Sequence, residues 1–246
     1  MMINTLKLSE RLKKVSSFLP EGAYFADIGS DHAYLPCYVC LHDRTAKAIA
    51  GEVNEGPFNS AKSTVEAYQL SNRVEVRLGN GLEVLDDITD IRQIVIAGMG
   101  GSLIKTILEE GKSKLSNVQR IIAQPNVDER NVRRWLLKEG YIVTNEAIIE
   151  ENGHRYEIIV ADKKGTQNLI DPYTEEQLEK ELLFGPILLR NKTAIFYEKW
   201  QSEYKKLARV ISQMKEASNI NSDKMERFEK ELSWIREELQ DEEQSD

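Results

Sequence analysis

The chain's 246 residues and 41% hydrophobic content suffice for one main domain with a sizeable core plus an appendage. No cationic segment followed by an apolar one opens the sequence, and no run approaches the roughly 18 apolar residues of a membrane span, so a globular, cytoplasmic protein without membrane contact is expected. The formal net charge of −8 argues against a uniformly basic nucleic-acid surface, although six of the acids crowd into the last ten residues, EELQDEEQSD.

Leu8, Leu12, Val15 and Leu19 recur at spacings of 4, 3 and 4, which predicts an amphipathic helix packed on the start of a sheet. From there to about residue 161, short apolar runs alternate with helix-patterned segments, the signature of a parallel sheet with crossover helices. Seven strands are predicted: Tyr24–Ile28, Ala46–Glu52, Val74–Leu78, Ile94–Ala97, Arg120–Ala123, Tyr141–Ile149 and Tyr156–Ala161. The Asn-Gly of EENGH joins the last two as an antiparallel hairpin. Cys37 and Cys40 lie one helical turn apart on an apolar helix and read as packing, because no second pair of ligands completes a zinc site; no metal is expected.

The composition shifts at KKGTQNLIDPY and the strand patterns stop, which divides the chain into domains 1–163 and 164–246. TEEQLEKELLF reads as a short helix closed by Gly185-Pro186. Trp200, Tyr204, Leu207, Ile211 and Met214 keep a 4-3-4-3 spacing, and Met225, Phe228, Leu232, Ile235 and Leu239 a 3-4-3-4 spacing. Such seams define coiled-coil faces, and the polar stretch ASNINSD between them predicts an antiparallel helical hairpin.

The chemistry concentrates where strands end. In an open parallel sheet, ligands bind outside the carboxyl ends of the strands, and YFADIGSDH is the first strand feeding its loop. A dinucleotide enzyme needs G-x-G-x-x-G there, whereas this loop has Gly29 alone, with carboxylates at Asp27 and Asp31 that repel a pyrophosphate and attract a cationic ligand. S-adenosylmethionine, with its ammonium and sulfonium, is favoured over NAD. Glu52 ends the second strand, where an acid can accept both hydroxyls of a ribose diol. Asn80 follows the third strand as a candidate for the adenine edge, with Gly79 and Gly81 permitting close approach, and Gly98, Gly100 and Gly101 follow the fourth, where they are expected to line the crevice beneath the reactive methyl.

ADIGSDHAYLP, AGEVNEGP, GNGL, IAGMGG and AQPN resemble, in order, the motifs of the bacterial tRNA (adenine(22)-N1)-methyltransferase family, often called TrmK. The resemblance spans residues 5 to about 161 and extends to the helical appendage. It implies an α/β fold, the class I S-adenosylmethionine-dependent methyltransferase with its Rossmann-like seven-stranded sheet, carrying a C-terminal antiparallel coiled-coil domain. It also implies methylation of N1 of an adenosine in the tRNA D-arm. Carried over, Asp27, Gly29 and His32 surround the methionine moiety, Glu52 holds the ribose, Asn80 and Gly81 contact the adenine, and Met99 lies near the methyl group, with Ser30, Val53, Ala97 and Gly98 as further cofactor-binding candidates.

Asp31 is the candidate acceptor or base beside the target ring, with a turn or helix-cap role as the alternative, and Tyr34 a candidate stacking contact. Gln124 and Asn126 can read an adenine's Watson–Crick edge, or can form a proline turn capping the helix near Asp128. Basic clusters at Lys7, Arg11, Lys13 and Lys14, at Arg130, Arg133, Arg134 and Lys138, and at Lys199, Lys205, Lys206 and Arg209 are candidates for phosphate contacts or simply solvated faces. Those near Arg11 and Arg133 are expected to flank the pocket. A monomer is expected, with dimerisation through the coiled coil as the alternative. A small-molecule methyltransferase and a non-catalytic RNA-binding scaffold are the competing classes; the first usually carries an aromatic-rich lid, and aromatics make up only 7% of this chain.

Overall fold

The computed structural model describes residues 6–85, 90–165, 168–216 and 221–243. The chain divides into two compact units, Met1–Pro172 and Tyr173–Asp246.

In the first unit, α1 (Glu10–Ser16) is capped by Ser9, whose hydroxyl accepts the Leu12 N–H, and its buried Val15 packs with Leu8, Leu12 and Leu19 on the core. There follow β1 (Tyr24–Ile28), α2 (Tyr34–His42), β2 (Lys47–Glu52), α3 (Glu55–Ala67), β3 (Val74–Leu78) and a 3-10 turn, Gly81–Val84. Then come β4 (Gln93–Met99), α4 (Gly101–Glu110), a second 3-10 turn (Lys112–Leu115), β5 (Arg120–Pro125), α5 (Glu129–Lys138), β6 (Tyr141–Glu151) and β7 (His154–Lys163). The sheet order is β3-β2-β1-β4-β5-β7-β6, parallel except for β7. The order reverses between β1 and β4, a switch point of the kind that opens a ligand crevice at the strands' carboxyl ends. β6 and β7 meet at Asn152 and Gly153, both left-handed (φ 52° and 75°), as an Asn-Gly hairpin turn requires.

The strand interiors are apolar on both faces because helices cover both, and Ile49, Ile94, Ile96, Ile121 and Ile122 are all fully buried. Cys37 and Cys40 belong to this core, and burial pushes their thiols up to about 12 and about 11.

Arg133 departs from expectation. It is fully buried on α5, donating Nε–H to Glu146 Oε1 at 2.7 Å and pairing with Glu157, both carboxylates also buried on the hairpin. An arginine inside a basic surface pattern therefore serves the interior. It occupies the inward position of an amphipathic helix, where only paired charge is tolerated, and makes no part of an RNA-binding face.

The second unit holds α6 (Leu178–Phe184), α7 (Pro186–Arg190), α8 (Ala194–Glu216) and α9 (Ser222–Glu243). The helix expected to start near residue 174 starts at Leu178, because the Thr174 N–H and hydroxyl bind the Glu181 carboxylate and turn the chain instead. Gly185 ends it as expected, and Pro186 opens α7 from the first helical position, where its missing N–H costs nothing. Phe184, Phe196 and Trp200 form the aromatic centre, with Phe184 and Trp200 ring centroids 4.3 Å apart. α8 and α9 run antiparallel: Lys215 pairs with Glu229 at 2.7 Å at one end, and Arg236 donates to the Tyr204 hydroxyl at 3.3 Å towards the other. Ile211, Met225 and Ile235 of the two seams are buried. In the predicted turn ASNINSD, residues 217–220 lie outside the described residues.

Candidate active site

The carboxyl ends of β1, β2 and β3 are laced together beyond the sheet proper. Gly51 O accepts from Gly29 N–H at 2.9 Å and Ser30 N–H at 3.1 Å, and Glu52 O accepts from Gly79 N–H at 2.8 Å. This frame sets two acids side by side. Asp27 is buried at 4% exposure and accepts the Ser30 hydroxyl at 2.6 Å; burial pushes its carboxyl up to about 7, against the opposing pull of that hydrogen bond and with help from the nearby Glu52 charge. Glu52, 5% exposed, is also raised by burial, and its Oε1 accepts the Asp31 N–H.

The loop that follows is backbone-strained. Asp31, His32 and Ala33 are consecutive non-glycine residues with φ of 41°, 62° and 55°. Asp and His tolerate the left-handed region, but a run of three is costly and persists because Glu52 ties its first N–H. The run turns Asp31 outward and Ala33 inward: the Asp31 carboxylate is 79% exposed and lies 3.4 Å from His32 Nε2, the His32 ring stacks on Tyr34 at 5.3 Å, and Ala33 is fully buried. Asp31 does not cap α2, whose N-cap is Ala33.

On the other side of the switch point, β4 carries a bulge between Ala97 and Met99, and Gly98 at its apex has φ 79°. The bulge removes the Gly98 peptide from the ladder, and two amides replace the lost partners. Gln124 Oε1 accepts the Gly98 N–H at 3.1 Å, and Asn126 Nδ2 donates to Gly98 O at 2.7 Å. Gln124 Nε2 donates to Pro125 O and to Asn126 Oδ1. Gln124 is fully buried, so in this arrangement its amide addresses protein groups rather than a base edge. Asn126 is exposed but does not cap α5, whose N-cap is Asp128. Gly101 is buried and does not line the crevice; a Cβ there would meet Asp128 O at 2.0 Å.

A built-in Cβ on Gly29, itself at φ 69°, would meet Met99 Cε at 2.1 Å, so Met99 lies directly across the bare backbone of the first turn. Asn80 opens the 3-10 turn with its N–H on Glu83 Oε2, and with Gly81 lines a small cavity of about 90 Å³ bounded by Ile107 and Lys114. Val53 is exposed beside Glu52, and Ala97 is half-buried.

A family model described as tRNA (adenine(22)-N(1))-methyltransferase matches residues 25–238. The tRNA (adenine(22)-N(1))-methyltransferase of Bacillus subtilis (strain 168) is 44% identical over 222 residues, 90% of this chain and 92% of that protein. The chain belongs to this family. The crystal structure of the B. subtilis m1A22 tRNA methyltransferase TrmK superposes with a TM-score of 0.87 at 41% identity, covering 95% of this chain and 99% of that one. A Streptococcus pneumoniae putative tRNA (m1A22) methyltransferase in complex with S-adenosyl-L-methionine superposes with a TM-score of 0.81 at 39% identity, covering 95% and 100% of the two chains.

The TrmK-family chain fits that ligand on its own geometry. Gly29 offers bare backbone at φ 69°, a conformation that residues with side chains rarely adopt. Asp27 is an acid held in a dry setting beside it, suited to an ammonium. Glu52 holds the loop through Oε1, and its carboxylate is an acceptor of the kind a sugar hydroxyl needs. Two features carry no signal in the sequence: the left-handed run through Ala33, and the particular hold of Arg11, from a cluster expected to flank the pocket, on Gln124 Oε1.

Proposed function

We infer that this chain is an S-adenosylmethionine-dependent methyltransferase that modifies N1 of adenosine 22 in tRNA, giving 1-methyladenosine. The observation that carries the reading is the 44% identity to the B. subtilis enzyme across 92% of that protein's length. We assign the chemistry to the first unit. The second we read as an antiparallel coiled-coil domain that extends the footprint on the D-arm.

S-adenosylmethionine, when bound, supplies a methyl group activated by its sulfonium. Asp27, with Ser30 orienting its carboxylate, is assigned to the ammonium end, together with Gly29 and His32. Glu52, flanked by Val53, is assigned to the ribose, and Asn80 with Gly81 to the adenine. Ala97, Gly98 and Met99 form the floor near the transferred group. Gln124 and Asn126 act by fixing the Gly98 bulge that shapes that floor. Tyr34, 41% exposed and backed by His32, gives the target base a face to stack on. Methylation at N1 leaves positive charge on the adenine, and the exposed Asp31 carboxylate offsets it or takes the amino proton. Positioning accounts for most of the rate, an effect worth roughly 7–11 kcal/mol in well-aligned reactions.

A monomer is the state we propose, since the seams of α8 and α9 are turned on each other within one chain. Among the described residues no helix is long and apolar enough to cross a membrane, and the tRNA substrate argues for the cytoplasm. Incubation with labelled S-adenosylmethionine and unmodified tRNA tests the reading: label is expected in 1-methyladenosine after nucleoside digestion, and cofactor binding without any transfer to tRNA overturns it.

A further inference from the structure

Arg11 is used differently from the structural arginines of this fold. Arg133 is sealed between two carboxylates, and Arg120 is locked on Asp162 by two hydrogen bonds of 2.7 and 2.9 Å. Arg11 instead travels from α1 to the carboxyl ends of β4 and β5. Its Nη1 donates to Gln124 Oε1, and its guanidinium lies 5.2 Å over the Tyr156 ring, which fixes its plane. The acid beside it, Glu151, takes the Arg11 backbone N–H at 3.1 Å but stands 3.7 Å from Nε, a loose match for the charge. Nη2 has no hydrogen-bond partner among the described residues, and the side chain is 20% exposed. Nothing separates the guanidinium from the bulge: a Cβ on Gly98 would lie 3.8 Å from Nη1. A charged fork, pre-oriented and incompletely neutralised at the edge of the methyl-transfer site, suits a phosphate oxygen better than any neutral group.

We propose that Arg11 binds a backbone phosphate of the tRNA next to the target adenosine, with Glu151 as the counter-ion it exchanges for that phosphate. The inference rests on the tRNA methyltransferase reading and names the contact that sets the nucleotide in register with the site. Glu151 holds the guanidinium in the free protein; the phosphate replaces it when tRNA docks.

The test is tRNA affinity of wild type, Arg11→Ala and Glu151→Gln across a salt series, with S-adenosylmethionine affinity and thermal midpoint measured on each. Arg11→Ala is expected to weaken tRNA binding about tenfold and to lower the magnitude of the log–log salt slope by about 0.7–0.9, the loss of one phosphate contact. Glu151→Gln keeps the guanidinium and removes its competitor, so it is expected to tighten tRNA binding about twofold to fivefold at low salt. A merely structural ion pair predicts weakening by both variants. An unchanged salt slope in Arg11→Ala, or weaker binding by Glu151→Gln, overturns the proposal while wild type still binds and methylates tRNA. Should Arg11→Ala fail to fold, the direction of the Glu151→Gln effect decides. A wild type that binds no tRNA at any salt refutes the functional reading itself, and the Arg11 assignment with it.

Discussion

Gln124 Oε1 accepts the N–H of Gly98 at 3.1 Å, a hydrogen bond between the side chain of one strand and the bulged backbone of its neighbour. The same oxygen takes Arg11 Nη1, so one buried amide supports both the floor of the site and the cation at its edge. Gln124→Ala removes the acceptor shared by the Gly98 N–H and the charged Arg11 guanidinium and is expected to cost about 1–3 kcal/mol of stability. It is also expected to weaken S-adenosylmethionine binding through the loosened Gly98 turn. Denaturant unfolding and calorimetric titration check the two effects; a variant with wild-type cofactor affinity would remove Gln124 from the support of the site.

Asp27 gives the free protein and its complex opposite pH trends. Its folded pKa, about 7, is raised above the usual carboxylate value of 3.8, so the folded state holds the proton more tightly than the unfolded chain. Its contribution to stability is therefore fully present below pH 4 and is lost as pH rises towards 7. Binding a cationic ligand needs the ionised form, so S-adenosylmethionine affinity is expected to rise as pH climbs through about 7 and then level. Calorimetry over that range, with Asp27→Asn as the control that flattens both trends, provides the check.

The roles proposed for Asp31 and Glu52 separate binding from chemistry. Asp31→Asn keeps the backbone N–H on Glu52 and is expected to lower kcat about 100-fold with cofactor affinity unchanged. Glu52→Gln is expected to weaken cofactor binding first. Full turnover by Asp31→Asn would assign its exposed carboxylate to solvent rather than to the target ring.

Replacing Arg133 with Met removes the cation between two buried carboxylates and is expected to destabilise the fold by about 3–5 kcal/mol. Because that side chain never meets solvent, the salt dependence of tRNA binding should not change among molecules that remain folded. A lowered salt slope with an intact thermal midpoint would return Arg133 to the RNA-binding face.

Sheet and site differ in how far residue types announce them. β1 and β3 have the bounds that their apolar runs predict, and Asn152-Gly153 makes the expected turn, because strand burial and turn chemistry are local properties. Asp27, Glu52 and Asn80 stand at or just beyond the ends of β1, β2 and β3, and strand pattern alone predicts those places. The task of Gln124 and Asn126 was not visible, since it depends on a bulge in β4 that arises only when β4 and β5 pair. Arg133 and Arg11 sit in similar basic clusters, yet one points into the interior and the other to the site; residue type alone does not tell which side of a helix will be covered.

The central claim is methyl transfer to one atom of one nucleotide, and the most direct measurement compares two transcripts of the same tRNA, one with adenosine and one with guanosine at position 22. The account predicts 1-methyladenosine in the first, mapped to position 22, and none in the second. Equal methylation of both transcripts, or 1-methyladenosine at another position, would contradict it.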